Sequence, residues 1–386
     1  MTEINGTVAD GYGAVADTFE RNFAEHGELG AAFSVYVDGE MKADLWAGVA
    51  DKQTGAEWNA DTLQLVFSTT KGAAAICVAR LAQAGAIDYE APVASYWPDF
   101  AEAGKETITV GQMMSHQGGL PYVDAPLTLA DIVAVDPVVA ALEAQAPVWE
   151  PGTQHGYHAL TYGWLAGELV RRVDGRTLGT YFAEEVAAPL GLDFWIGLPE
   201  QEESRVSRLE TAPPVSDPEM LALMMAVMGP GTNGFKALTM NGAVMALDPV
   251  DNPFNSREVH ATEMPAANGI TTARSLARMY GATVADVDGV RLLASDTVEE
   301  TRAERVNGPD ACLVANSRFG YGFMLDGELT PLLSGASFGH AGAGGSLGYA
   351  DPEAKVGYGY VMNQMANGIA GDPRTIALNE AVRACL

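Results

Sequence analysis

"FSTTKGAAAICVARLAQA", Phe67 to Ala84, sets a serine and a lysine three residues apart at the head of an almost uncharged, proline-free run. Ala, Ile, Val and Leu dominate it, so a buried helix is predicted from Ser68 to Ala84, beginning at or near the serine. On a helix, positions i and i+3 share a face, which brings the Lys71 amine beside the Ser68 hydroxyl. A serine hydroxyl is a weak nucleophile until a base takes its proton, and a buried lysine with a depressed pKa serves as such a base. The unpaired N–H groups of a helix start favour the negative charge that then develops. Taken alone, S-x-x-K equally describes a capping serine followed by a solvated lysine. The apolar stretch from Gly72 to Ala79 argues against that reading, because a lysine heading such a run is partly buried.

The rest of the chain sets bounds on what this pair serves. Its 386 residues, 48% of them hydrophobic, suffice for a large core in one mixed domain or two interleaved ones. Fifty acidic against 22 basic residues give a formal charge of −28, which repels polyanions and anionic membrane surfaces and excludes nucleic acid as a partner. No run approaches the roughly 18 apolar residues of a membrane span, and Met1 to Gly6 shows no secretory pattern, so a cytoplasmic location is expected. Cys77, Cys312 and Cys385 are scattered, which indicates neither a disulfide framework nor a thiolate zinc site. Cys77, inside the apolar helix, is expected simply to pack there.

Outward from the helix, Ala31–Val37 and Met41–Gly48 read as strands joined by the tight turn Asp38-Gly39. Apolar residues at helical spacing between Val8 and Phe23 predict a helix laid on that hairpin. Helices are also expected over Val110–Ser115, Leu129–Glu143, Ala159–Arg172 and Leu178–Ala187, with Gly and Pro between them. Strands return at Arg318–Leu325, after Ser346, and at Lys355–Asn363, and a helix over Arg374–Ala384 closes the chain. The expected fold class is α+β: an antiparallel sheet built from both chain ends, flanked by terminal helices, with a mainly helical region inserted. Residues 1–65 and 265–386 would form the sheet domain and 66–264 the helical one, the active site lying between them.

A second serine competes with Ser68. Gly344-Gly345-Ser346-Leu347-Gly348 spells the G-x-S-x-G nucleophile elbow, whose strand–turn–helix context is followed later in the chain by an acid and a histidine. The histidines are His26, His116, His155, His158, His260 and His340, all ahead of Ser346, and a strand rather than a helix follows it. Ser346 is therefore read as a decoy. His155 and His158 lack partners at metal-ligand spacing, so no metal is expected, and His116 is read as a structural turn residue. Met220, Met224, Met225 and Met228 lie at near-helical spacing, with Met240 and Met245 beyond; core packing is the preferred reading, an adaptable acyl pocket the alternative.

Ser68-Thr69-Thr70-Lys71 with its helix resembles the penicillin-recognising serine hydrolases, specifically the class C β-lactamase fold and its esterase branch, the family VIII carboxylesterases. The supporting stretches are Met114–Pro121, Trp149–Thr153 leading to Tyr157, Pro265–Ile270 and Gly339–Pro352, in the family's order over nearly the whole chain. The resemblance implies that Ser68 is acylated and that Lys71 is its base or proton relay. It gives Tyr157 a share in proton transfer, acting either as a phenolate held by Lys71 or as a neutral relay. It assigns the oxyanion hole to the backbone N–H groups of Ser68 and Ala343, and substrate contact to His340 and Gly342. No cofactor is implied.

Two departures from the lactamase pattern favour esters. His340-Ala341-Gly342 stands where the lactamases have Lys-Thr-Gly, removing a cation and a hydroxyl that help bind a lactam carboxylate. Tyr157-His158-Ala159 replaces Tyr-x-Asn, and Ala159 has no side chain to bond a substrate amide. The expected activity is hydrolysis of short-chain carboxylic esters through an acyl-enzyme on Ser68, the partner being a small-molecule ester. A β-lactamase, D-amino-acid peptidase or acyltransferase on the same site is the rival reading, and a catalytically silent binding protein is the rival of another class.

Overall fold

The computed structural model of the chain describes residues 2–245, 252–368 and 370–386. Its main sheet is antiparallel and draws on both ends of the chain. In spatial order the strands are Asn5–Val8, Glu40–Asp51, Gly30–Val37, Val356–Met362, Leu347–Asp351, Phe338–Ala341, Met324–Leu325, Asn316–Phe319 and Val306–Pro309. Asp38 and Gly39 both take positive φ, 48° and 82°, the pairing of a two-residue hairpin whose twist matches its strands. The union of the two ends is the seven-residue ladder in which Val356–Met362 lies against Ala31–Val37.

Side chains alternate across this sheet with period two. Phe33, Val35, Tyr358 and Tyr360 face a core shared with Val15, Phe19, Leu378 and Val382, which come from the two terminal helices Gly13–Glu25 and Pro373–Cys385. Tyr36, Ala350 and Val361 face the opposite core, which continues into the helical half of the molecule. A helix that the sequence reading did not anticipate, Ala273–Val284, lies on this second face against the central strands. Burial on both faces explains why the central strands carry few charges. Among the described residues, no helix is long and apolar enough to cross a membrane.

Four expectations change. The first helix begins at Gly13 rather than Val8, because Asn5–Val8 pairs with Glu40–Asp51 and Ala9–Tyr12 turns back, Tyr12 N–H donating to Ala9 O at 3.0 Å. The helix expected over Leu129–Glu143 is two, Leu129–Ala134 and Asp136–Ala144, broken at Val135 with φ of 65°. Pro137 is the cause, since inside a continuous helix its ring would strike the carbonyl four residues back. The strand expected over Arg318–Leu325 is also two, Asn316–Phe319 and Met324–Leu325, because the chain reverses where Gly320 N–H donates to Phe323 O at 2.9 Å.

The methionine stripe is the fourth correction. Helix Pro218–Met228 has no buried residue, and Met220, Leu221, Leu223 and Met225 are exposed, as is Met245, while Met240 is buried. Apolar spacing reads as core only where a neighbouring element covers the stripe, and among the described residues the adjoining helix Asn233–Thr239 leaves these side chains open.

Candidate active site

A three-stranded sheet of two-residue strands, Gln64–Leu65, Ile270–Thr271 and Phe194–Trp195, delivers the chain to Ser68. Between it and the helix stands Phe67, at φ of 43°, a left-handed conformation that costs a residue with a side chain about 1–2 kcal/mol. Its ring packs 4.9 Å from that of Phe254, and its carbonyl accepts from the Thr70 N–H at 3.0 Å and from the Thr70 hydroxyl. This kink lifts Ser68, half-buried, onto a turn ahead of helix Thr70–Gln83.

Lys71 occupies the first turn of that helix and is fully buried. Its Nζ lies 3.0 Å from Ser68 Oγ, 2.7 Å from the Ala159 carbonyl and 2.9 Å from the Ala266 carbonyl. Burial alone pushes its pKa well below the usual lysine range. Among the described residues, no carboxylate pairs with it. A neutral amine carries two protons and one lone pair, so with two carbonyls taking the protons the lone pair is directed at the Ser68 hydroxyl.

Tyr157, expected from the sequence, comes to the same place. Lys71 Nζ sits 4.8 Å from the centre of its ring. Burial raises the Tyr157 phenol above its ordinary value, opposed by a hydrogen bond with the Ser68 side chain. The His340 ring stacks on it with centroids 5.9 Å apart. Asp310, which the sequence reading missed, holds Tyr157 from behind. Its Oδ1 accepts from the backbone N–H of Tyr157, Cys312 and Leu313 at 3.0, 2.8 and 3.0 Å, and its Oδ2 from Ser317 Oγ at 2.8 Å. Nothing local marks that aspartate, because 153 residues separate it from Tyr157.

Ser346 is buried, and its environment gives it a different task. Its hydroxyl donates to the Val66 carbonyl at 2.9 Å and lies 3.0 Å from Thr69 Oγ1, so it grips the chain on both sides of Ser68. Its own carbonyl accepts from the Gly342 N–H at 2.7 Å. A Cβ on Gly342 would come within 2.2 Å of both Ser346 Oγ and Val66 O, so only glycine lets the two loops meet. Ala343, half-buried, is thereby held beside the turn that carries Ser68. Among the described residues, neither the Ser68 nor the Ala343 N–H donates to another protein group.

The histidines near the site are neutral. Burial, reinforced by Lys71 once acid protonates it, pushes His158 to about 4 and His340 to about 3, and burial with His158 as neighbour takes His116 well below the imidazole range. His158 Nδ1 faces Gly156 O at 2.7 Å, its Nε2 accepts from Leu120 N–H at 2.9 Å, and its N–H donates to His116 Nδ1 at 3.1 Å. His155 Nε2 pairs with Ser317 Oγ at 2.9 Å. Below pH 6.5 the unfolded chain protonates these rings and the folded chain does not, so stability is present above that pH and is lost as pH falls toward 4. Glu28, raised by burial to about 7, acts oppositely, one group against three. The expected net effect is a loss of stability as pH falls below 6.5. Urea unfolding at pH 7.5, 6 and 5 measures it, and an unchanged midpoint would mean that the rings are charged in the fold.

The constellation can be set beside known proteins. A family model described as "Beta-lactamase" matches residues 15–382. The esterase/beta-lactamase LipL of Mycobacterium tuberculosis is 39% identical over 347 residues, 87% of this chain and 77% of the relative. Among solved structures, a family VIII carboxylesterase is similar with a TM-score of 0.88 at 38% identity. A penicillin-binding protein homologue from Caulobacter crescentus is similar with a TM-score of 0.90 at 39% identity, and both likenesses cover 100% of each chain. A serine beside a buried lysine, on a fold shared end to end with such proteins, makes this chain a member of the beta-lactamase family.

Proposed function

We propose that this protein is a serine carboxylesterase that cleaves uncharged carboxylic esters through an acyl-enzyme on Ser68. The observation that carries the reading is the Lys71 amine, buried, 3.0 Å from Ser68 Oγ, with two carbonyls taking its protons. Ser68 Oγ attacks the ester carbonyl carbon as its proton passes to Lys71 Nζ. The Ser68 and Ala343 N–H groups hold the oxyanion that forms. As the tetrahedral adduct collapses, the proton moves from Lys71, through the Tyr157 hydroxyl, to the departing alkoxide. Water then attacks the acyl carbon and loses a proton to the same pair, which returns it to Ser68 Oγ as the acyl–Oγ bond breaks and the acid leaves. The raised Tyr157 phenol favours the neutral relay over a standing phenolate.

The surroundings support an uncharged substrate beside His340 and Gly342, both of which are buried. His340 is neutral, Ala341 has no hydroxyl, and Ala159 contributes only the carbonyl that binds Lys71. A site between the sheet part, 1–65 and 265–386, and the helical part, 66–264, suits a small molecule, and the −28 charge and scattered thiols suit a cytoplasmic setting. The relative named esterase/beta-lactamase raises a second reading, lactam hydrolysis by the same serine. Rates on a short-chain aryl ester and on a cephalosporin separate the two: the ester is expected to dominate, and a dominant cephalosporin rate would reverse the assignment.

A further inference from the structure

Behind the oxyanion loop, at the start of the last helix, lies a buried ionic cluster that the proposed chemistry does not use. Arg374, 2% exposed, forks its Nε and Nη2 onto Asp372 Oδ1 and Oδ2 at 2.9 and 2.7 Å. Its Nη1 reaches the buried Glu28 carboxylate at 3.0 Å and the Gln364 carbonyl at 2.9 Å, and Tyr360 donates to the other oxygen of Glu28. A guanidinium so held is a fixed point. One of its protons is left for the loop: Nη2 also donates to the Gly344 carbonyl at 2.7 Å.

The bonds beyond that carbonyl form a line. Gly344 O and Gly345 N–H belong to one peptide group, and that N–H donates to Gly342 O at 3.1 Å. Gly342 O and Ala343 N–H belong to the next, so the Ala343 N–H points the opposite way, out of the turn. Two peptide groups thus connect the guanidinium to the proposed oxyanion donor, each hydrogen bond polarising the next. Ala366 N–H, donating to Gly344 O at 2.9 Å, steadies the same carbonyl.

We infer that Arg374 is the positioning residue of the oxyanion hole, orienting and polarising the Ala343 N–H through the Gly344–Gly345 and Gly342–Ala343 peptides. The inference rests on the reading of Ala343 as an oxyanion donor. It assigns to Arg374 an effect on the transition state and not on ground-state binding. Lysine in its place has three protons for the five bonds that the Arg374 side chain donates, so the set cannot all be kept.

The test compares the parent with Arg374→Lys and Gly345→Ala. The second variant disturbs the contact from the loop side, where a Cβ would meet Arg374 Nη2 at 2.4 Å and Asp372 Oδ2 at 2.6 Å and where φ is 129°, a conformation that strains any side chain. Active sites are first titrated with a serine-directed phosphonate, so that rates refer to folded sites alone. Each variant is expected to lose tenfold or more in kcat per titrated site, short of the roughly 10²–10³ for losing an oxyanion donor outright. KM should stay within about threefold, and an aryl boronic acid, which mimics the tetrahedral adduct, should lose affinity in step with kcat. A per-site kcat within twofold of the parent in either variant, or a fall in kcat without loss of boronate affinity, overturns the inference. If the phosphonate adduct on the parent maps elsewhere than Ser68, the proposed function fails first, which keeps the two failures apart.

Discussion

Ser68→Ala is expected to abolish ester hydrolysis, with kcat falling on the order of 10⁶-fold, the scale on which removing a nucleophilic serine acts. The protein should remain folded, since Ser68 is half-buried on a turn and its side chain meets only Lys71 and Tyr157. The companion variant, Ser346→Ala, discriminates between the serines. It deletes one donor to Val66 O, which keeps the Thr69 N–H at 3.1 Å, and the partner of the buried Thr69 Oγ1, at a cost of about 1–3 kcal/mol. Its activity should persist at a measurable fraction of the parent, because the grip on the nucleophile turn is weakened and the nucleophile is still present. Mass mapping of a phosphonate adduct reads the same question directly. An adduct on Ser346, or an inactive Ser346→Ala beside an active Ser68→Ala, would sink the assignment.

The second large effect concerns Lys71 and asks whether it is a base or only a positive charge. Lys71→Met keeps length and removes the lone pair, and kcat/KM should fall by about 10²–10⁴, the range of general-base catalysis. Lys71→Arg is the sharper variant. Arginine stays protonated in proteins, so it restores the cation and the carbonyl contacts but cannot accept the Ser68 proton. If Lys71 acts as the base, arginine should be no better than methionine; if a cation suffices, arginine should recover most of the rate. The lowered Lys71 pKa adds a pH signature: the neutral amine is the active form, so the parent's rate should fall on the acid side as the amine takes a proton, and should hold toward alkali. A rate that rises as pH falls would contradict the neutral base.

Much of this was legible along the chain, and the legible features share a cause. Ser68 and Lys71 meet because three residues on a helix make one face, a relation independent of the rest of the fold. The hairpin at Asp38-Gly39 is local in the same way, its turn chemistry lying in two adjacent residues. The long terminal strands were visible because alternation with period two repeats within each of them. Local signals misled where an unseen partner decided the outcome. Pro137 divided a helix, a reversal after Phe319 divided a strand, and the apolar helix Pro218–Met228 has no buried residue among those described.

By itself the sequence determined that Ser68 and Lys71 share a helix face, the antiparallel class of the sheet and the contribution of both chain ends to it, since each follows from residue spacing or from turn and strand chemistry along neighbouring residues. Only the tertiary structure decided what surrounds the pair. The lowered pKa of Lys71 comes from burial, and its amine is placed by the carbonyls of Ala159 and Ala266, 88 and 195 residues away. Ser346 became a clamp, Asp310 the anchor of Tyr157, and Arg374 the fixed point behind Ala343 through contacts spanning 30 to 280 residues. A hydrogen bond across such a distance leaves no periodicity in the chain; it exists only once the sheet and the helices have closed on each other and excluded water from the groups between them.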